Sequence, residues 1–174
     1  SDLNTGDIVF RRGRGFISEA LMNFSQHEKK YSHAGIVSVE GGRVYVFHAI
    51  GGEENKSNKL RKDLLESYCS PSDNFSFGVY RFPLSESQTR EINLMVNHYF
   101  ASGLEFDTDF DLKTEDKMYC TEFVARVLKH ALQTFAISPS YSVNGFPYIS
   151  CDDIYLQPAC RNIFSFDYTI LNLK

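Results

Sequence analysis

"SHAGIVSVEGGRVYVFHA", residues 32–49, places two runs of β-branched and aromatic residues on either side of Gly41-Gly42. Short apolar runs around a Gly-Gly pair are the signature of a β-hairpin with a two-residue turn. Symmetric closure puts Val39 opposite Val44, and the same register puts His48 opposite Gly35. His33 lies two residues from Gly35, so it projects from the same face as His48. The two histidines are then diagonal neighbours, close enough for their rings to meet. A one-residue change in the turn would flip one strand and separate them.

Outward from the hairpin, the chain alternates strand and helix signals. "GDIVFRR" (6–12) reads as a first strand entered from a turn. "GFISEALMNF" (15–24) sets Phe16, Ile17, Ala20, Leu21 and Phe24 on one face of a short helix. "KDLLESY" (62–68) has the local character of a helical turn or two, and "FSFGVYRF" (75–82) reads as a strand stopped by Pro83. Ser85 with Gln88 forms a capping box for a helix that keeps its apolar period to Gly103. An acidic loop, "EFDTDFDLKTED" (105–116), leads to "KMYCTEFVARVLKHAL" (117–132). There Cys120, Phe123, Val124, Val127, Leu128, Ala131, Leu132 and Phe135 follow helical spacing without a gap. "NIFSFDYTIL" (162–171) reads as a last strand. Hairpin-linked strands with separate helices imply an α+β fold built on an antiparallel sheet.

A chain of 174 residues with 43% hydrophobic and 23% charged content fits one globular domain, expected over residues 1–174. A net charge of −4 argues against a nucleic-acid binder, which needs a basic face. "RRGRG" (11–15) is too short to change that and reads as a solvated turn. No run of apolar residues is long enough to span a membrane. The chain starts at Ser1 with no signal sequence, as a mature or trimmed form would, which leaves export open. The four cysteines, Cys69, Cys120, Cys151 and Cys160, lack metal-type spacing with histidines, and a Cys151–Cys160 pairing stays open.

Cys120 is either a small core hydrophobe or a nucleophile. Thr114 or Asp116 as N-cap would put it in or near a first helical turn, where the helix dipole and a neighbouring imidazolium stabilise a thiolate. Two aligned histidines supply the rest of such a site: one ring acts as base, and its second nitrogen is held by a polar neighbour. The same two histidines make a thin zinc site, so neither metal nor cofactor is expected. Asp107, Asp109 and Asp111 alternate like a calcium loop but lack its Gly and distal Glu, and read as a solvated loop edging the cleft.

The order "GDIVF", "YSHAGIV", "VYVFHAIGG", "FDTDFDLKTEDKMYCTEFV" resembles the circularly permuted branch of the NlpC-type papain-like cysteine hydrolases. Within that branch it is most similar to the YiiX/YaeF-like group, with the lecithin retinol acyltransferase proteins as more distant relatives. The resemblance runs from Gly6 to about Leu128. It implies a papain-like sheet or barrel packed on helices, with Cys120 as nucleophile, His33 as general base and His48 in the third position. YiiX-like members commonly carry an acidic residue there, so His48 is a departure. The Cys120 backbone N–H is the natural oxyanion donor, and Tyr119 or Tyr31 would supply a hydroxyl or wall the cleft. Glu122 matches the "YC-[ST]-E" pattern and reads as structural. The implied substrate is an amide in a short peptide, a cell-wall peptide or an N-acyl or lipid-like conjugate, and the implied setting is the bacterial envelope. Acyl transfer is a close variant, and a binding module without turnover is the rival from another class.

Overall fold

The hairpin forms with the expected register, and the sheet is built around it. The computed structural model describes residues 3–133, 136–142 and 144–172, so Phe135 lies outside the described residues. Gly6, at φ 96°, turns the chain into β1 (Ile8–Gly13). Asp7 at this entry is buried and takes a two-pronged ion pair from Arg81, at 2.6 and 2.8 Å. α1 (Phe16–Met22) follows, then β2 (His33–Glu40) and β3 (Arg43–His48). Gly41 and Gly42 both adopt positive φ (55° and 78°), the conformation a twisted two-residue hairpin turn demands. Val39 pairs with Val44 and Ile36 with Phe47.

The chain continues through β4 (Arg61–Leu64), α2 (Leu65–Tyr68) and β5 (Asn74–Arg81). The Ser85–Gln88 capping box opens α3 (Glu86–Ser102), which Gly103 closes at φ 72°. Then come α4 (Cys120–Leu132), β6 (Ser140–Tyr141), β7 (Pro147–Tyr148), α5 (Cys151–Tyr155) and β8 (Arg161–Asp167). Six strands form one antiparallel sheet in the order β4-β3-β2-β1-β5-β8. Ile8, Phe10, Ala34, Ile36 and Phe47 bury one face against α3 and α4, through Val96, Phe123, Val127 and Leu128. Val9, Val37, Val46 and Val79 on the other face pack under Tyr68 and Cys69. Strand alternation thus feeds two cores, the α+β arrangement expected.

Two local expectations are corrected. Residues 62–68 are half strand, because pairing to β3 captures Arg61–Leu64 before α2 begins. Of the solvated turn expected at 11–15, only Arg14 and Gly15 form an exposed bend; Arg11–Gly13 end β1, with the Arg11 side chain buried. α1 turns its apolar face outward: Phe16 is 87% and Ile17 73% exposed, and Met22 is the buried residue. The helix docks through Met22 and a Ser18–Ser32 hydroxyl contact, which leaves the Ile17 side free.

Gly35 is the tight point of the sheet. A Cβ there would meet Val46 Cγ1 at 2.4 Å, the Phe47 carbonyl oxygen at 3.0 Å and His48 Cβ at 3.1 Å. Gly35→Ala is therefore expected to cost about 1–3 kcal/mol in urea unfolding, the usual price of overpacking, and to displace His48.

Candidate active site

The first residue of β2 and the last residue of β3 meet as the hairpin register requires. His33 Nε2 lies 2.9 Å from His48 Nδ1, and both rings are buried. The other His48 nitrogen, Nε2, lies 3.0 Å from Asp63 Oδ2 on β4. Arg61, two residues before Asp63, closes on the same carboxylate at 2.6 Å. Burial raises the Asp63 pKa, but the hydrogen bonds from His48 and Arg61 outweigh it and hold the group below the ordinary carboxylate value.

This chain of contacts fixes the tautomers. A carboxylate only accepts, so His48 carries its proton on Nε2 and gives it to Asp63. His48 Nδ1 is then a lone pair, which accepts the N–H at His33 Nε2. That leaves His33 Nδ1 unprotonated and free to act as a base. Tyr68 wedges against both imidazoles, with ring centroids 5.7 Å from His33 and 4.8 Å from His48. Its hydroxyl donates to the Val9 carbonyl at 3.2 Å.

Cys120 is the first residue of α4, and Tyr119 is its N-cap. The helix starts later than Thr114 or Asp116 would have set it, because Thr114 Oγ1 instead bonds the Asp111 and Lys117 carbonyls. The Cys120 N–H heads the helix with no carbonyl one turn back to take it. α4 packs across β2, and the Ala34 N–H faces the Cys120 sulfur. Ser32 lines the same cleft as Cys120, so of the two neighbours of His33 one faces the thiol and the other lines its cleft.

Burial opposes the expected resting thiolate–imidazolium pair. Desolvation pushes the Cys120 thiol up, against the Ala34 and Thr121 hydrogen bonds and the charge of Arg11. Desolvation also carries His33 well below 6.5, helped by Arg11, His48 and Arg61. His48 falls to about 4 by burial, although Asp63 opposes the shift. All three shifts favour the uncharged forms.

Sequence reasoning missed Asp63 and Arg11. Arg11 pairs with His33 in the β1–β2 register and lies 4.8 Å over the Tyr68 ring. No local signal marks either residue, but an acidic residue in the strand after the hairpin was the one to look for. Tyr119 lines the cleft as expected, and its hydroxyl oxygen accepts the Ile149 N–H at 2.8 Å. Tyr31 does not line it: the ring is buried among Phe10, Tyr80 and Tyr155, and its hydroxyl faces Tyr80 and Ser165.

The cleft has a volume of about 290 Å³, walled by Leu21, Phe24, Phe110, Phe146, Tyr148 and Ile149 around Cys120. Thr121 donates to the Ile149 carbonyl at 2.6 Å, so residues on both sides of Cys120 clamp the wall at Ile149. Buried Asp152 accepts the N–H groups of His27 and Glu28, at 2.7 and 3.2 Å, tying α5 to the approach to β2. Asp107 is buried rather than solvated, and its carboxylate accepts the Asp109 and Asp111 N–H groups at 2.9 and 2.7 Å. Glu122 is structural, but it serves its own helix and the acidic loop rather than anchoring the sheet as expected. It is buried against Arg126 at 2.7 Å, and Arg126 also holds the Leu112 and Thr114 carbonyls. Burial lifts Glu122 to about 7 despite Arg126. All four cysteines are free, with Cys151 in the cleft wall.

The sequence model of the permuted papain-like amidases, the YaeF/YiiX or C92 family, matches residues 2–139. The chain belongs to this family. The family is described as permuted papain-like amidases. The YiiX protein of Escherichia coli (strain K12) is 25% identical over 130 residues, which cover 74% of this chain and 58% of that protein. The chain thus spans less than two thirds of that relative's length. A solved structure described as the metalloprotein YiiX (DUF1105) from Escherichia coli O157:H7 superposes with a TM-score of 0.77 at 20% identity. The match covers 95% of this chain and 99% of that one, and it shows the shared fold. Among the described residues here, no group of three or more His, Cys, Asp or Glu is placed to hold a metal ion. His33, His48 and Asp63 face one another in a line, and both nitrogens of His48 are spent within it. The residues do not fit a metal.

A neutral resting thiol has a direct signature. Iodoacetamide labelling of Cys120 in the free protein, followed by mass spectrometry, is expected to rise only at or above the ordinary thiol range near about pH 8.5. Arg11→Met should move that midpoint higher, because Arg11 favours the thiolate. Labelling complete below about pH 7 would contradict the neutral state.

Proposed function

We propose that the protein is a thiol amidase in which Cys120 attacks an amide carbonyl and His33 moves the proton, held in place by His48 and Asp63. The observation that carries this reading is the hydrogen-bonded line His33–His48–Asp63, which leaves one basic nitrogen on the strand end bordering the Cys120 thiol. Because the resting pair is neutral, attack and proton transfer are coupled. His33 Nδ1 takes the thiol proton as the S–C bond forms, and the carbonyl oxygen becomes an oxyanion beside the Cys120 N–H. The imidazolium formed on His33 is stabilised through His48 by the Asp63 carboxylate. It then protonates the departing nitrogen as the C–N bond breaks. Water, deprotonated by the same ring, resolves the thioester to a carboxylic acid and the free thiol.

His48 stands where the resemblance leads one to expect an acid, and Asp63 supplies that acid one ring further out. The walls of the cleft are apolar on the side of Leu21, Phe24, Phe146 and Ile149, which suits an amide whose acyl part is hydrocarbon-rich. Within the implied range of peptide, cell-wall peptide and N-acyl conjugates, that favours the N-acyl conjugates.

Three outcomes test this on a panel of N-acyl p-nitroanilides of increasing chain length. Cys120→Ala should abolish turnover, and the parent should accumulate a thioester at Cys120 visible as an acyl mass increment. Asp63→Asn should lower kcat roughly a hundredfold with little change in KM, because it disturbs the tautomer without emptying the site. The base is lost as pH falls through the depressed His33 pKa. kcat/KM should therefore hold down to 6.5, the ordinary imidazole value, and fall only below it. Ligand binding without turnover in the parent would leave a binding module.

A further inference from the structure

Arg11 brings a full charge to the edge of the reaction line and is held there only loosely. It faces His33 across the β1–β2 ladder, so the two side chains stand on one face of the sheet. Its guanidinium lies 4.8 Å over the Tyr68 ring, which in turn packs on both imidazoles. The side chain is 10% exposed, yet its contacts with the Tyr68 carbonyl, Asn74 Oδ1 and Glu54 Oε2 are all 3.4 Å long. Its Nε has no partner among the described residues. Arg61, the other arginine near His33, closes on Asp63 at 2.6 Å, and its charge is met there. Glu54, which faces Arg11, is 67% exposed and stands mostly in water. Arg11 is therefore the uncompensated cation of the site. Burying such a charge costs stability, and contacts this long offset little of the cost.

The charge acts differently on the two halves of the reaction. During attack, a proton leaves the Cys120 thiol for His33. Arg11 favours the thiolate and disfavours the imidazolium, so its two effects oppose each other. During departure only one effect remains. The S–C bond is already made, and the imidazolium gives its proton to the nitrogen as the C–N bond breaks. A nearby cation favours that loss of charge. An amide needs this step, because its nitrogen leaves as a neutral amine only when protonated. A nitrophenyl ester does not, since nitrophenolate leaves without a proton.

We propose that Arg11 is a positioning residue that commits the site to amides, by driving the proton from His33 onto the departing nitrogen. The commitment to amides rests on the amidase reading; the action of the charge on His33 does not. The titratable and charged groups around His33 are Arg11 on β1, His48 on β3, Arg61 and Asp63 on β4, Tyr68 on α2 and Cys120 at the head of α4. Glu54 lies beyond Arg11 on the solvent side. Among them Arg11 alone is a cation without a close counter-ion.

Two readouts keep the readings apart. The first compares an N-acyl alkylamide with the p-nitrophenyl ester of the same acid. Arg11→Met removes the charge and keeps a long side chain, a kind of replacement that buried ion sites tolerate. It should lower kcat/KM on the amide about tenfold and leave the ester within about twofold. Arg11→Lys keeps the charge and should keep the parent's ratio of amide to ester rates. Lost packing alone would lower both rates together. The second readout needs no substrate: NMR titration of the His33 ring in the free, folded protein. Its midpoint should rise by about one pH unit in Arg11→Met. It should fall in Glu54→Gln, an exposed change that removes the opposing charge. Equal losses on amide and ester, or a His33 midpoint unmoved in both variants, would overturn the proposal. A midpoint that moves as expected in a protein that turns over neither substrate would sink the amidase reading alone.

Discussion

The Gly41-Gly42 turn sets the register in which the two histidines meet. It fixes which residue of β3 faces which residue of β2, and so whether His48 reaches His33 at all. Gly35 completes the constraint by leaving no side chain between the β2 backbone and His48. β4 then adds its carboxylate by pairing to the outer edge of the same hairpin. The order of groups from thiol to acid is a consequence of strand order, and a slip of one residue anywhere along it would unmake the line.

Burial is the opposing constraint. The enclosure that orders two imidazoles in one hydrogen-bonded line also removes the water that would stabilise their charges. Helix position alone argues for a thiolate at Cys120, and desolvation reverses that preference. Arg11 shows the balance in one residue: its charge favours the thiolate and disfavours the imidazolium, so it cannot promote both halves of an ion pair. In the proposed reaction such a site holds its charge separation back until a substrate with a polar carbonyl enters.

Much of this was legible in the sequence because it is written locally. Hairpin register follows from turn chemistry, the start of α3 from Ser85 and Gln88, and the core face of α4 from its unbroken spacing. What was not legible depends on distant partners. "RKDL" has no alternation of apolar and polar residues, so Asp63 reads as part of a helical turn until β3 captures it as a strand. Arg11 reads as solvated because nothing nearby in the chain reveals that Tyr68 and Asn74 will enclose it. The same limit holds for α1: apolar spacing says that a face exists, and only the packing partner says which way it turns. Tyr31 reads as well for a cleft wall as Tyr119 does, and only the packing of Phe10, Tyr80 and Tyr155 shows that its ring belongs to the core.

The cleft is assembled from two stretches of chain with different ties to the family. The reaction line and Cys120 all fall within residues 2–139, the part the family shares. Phe146, Tyr148, Ile149 and Cys151, which complete the wall, fall after it, on a short segment clamped back by Tyr119, Thr121 and Asp152. The wall after residue 139 is thus tied to the cysteine helix at Ile149 and to the approach to β2 at Asp152, so a change in its side chains reshapes the cleft without moving the hairpin or Cys120.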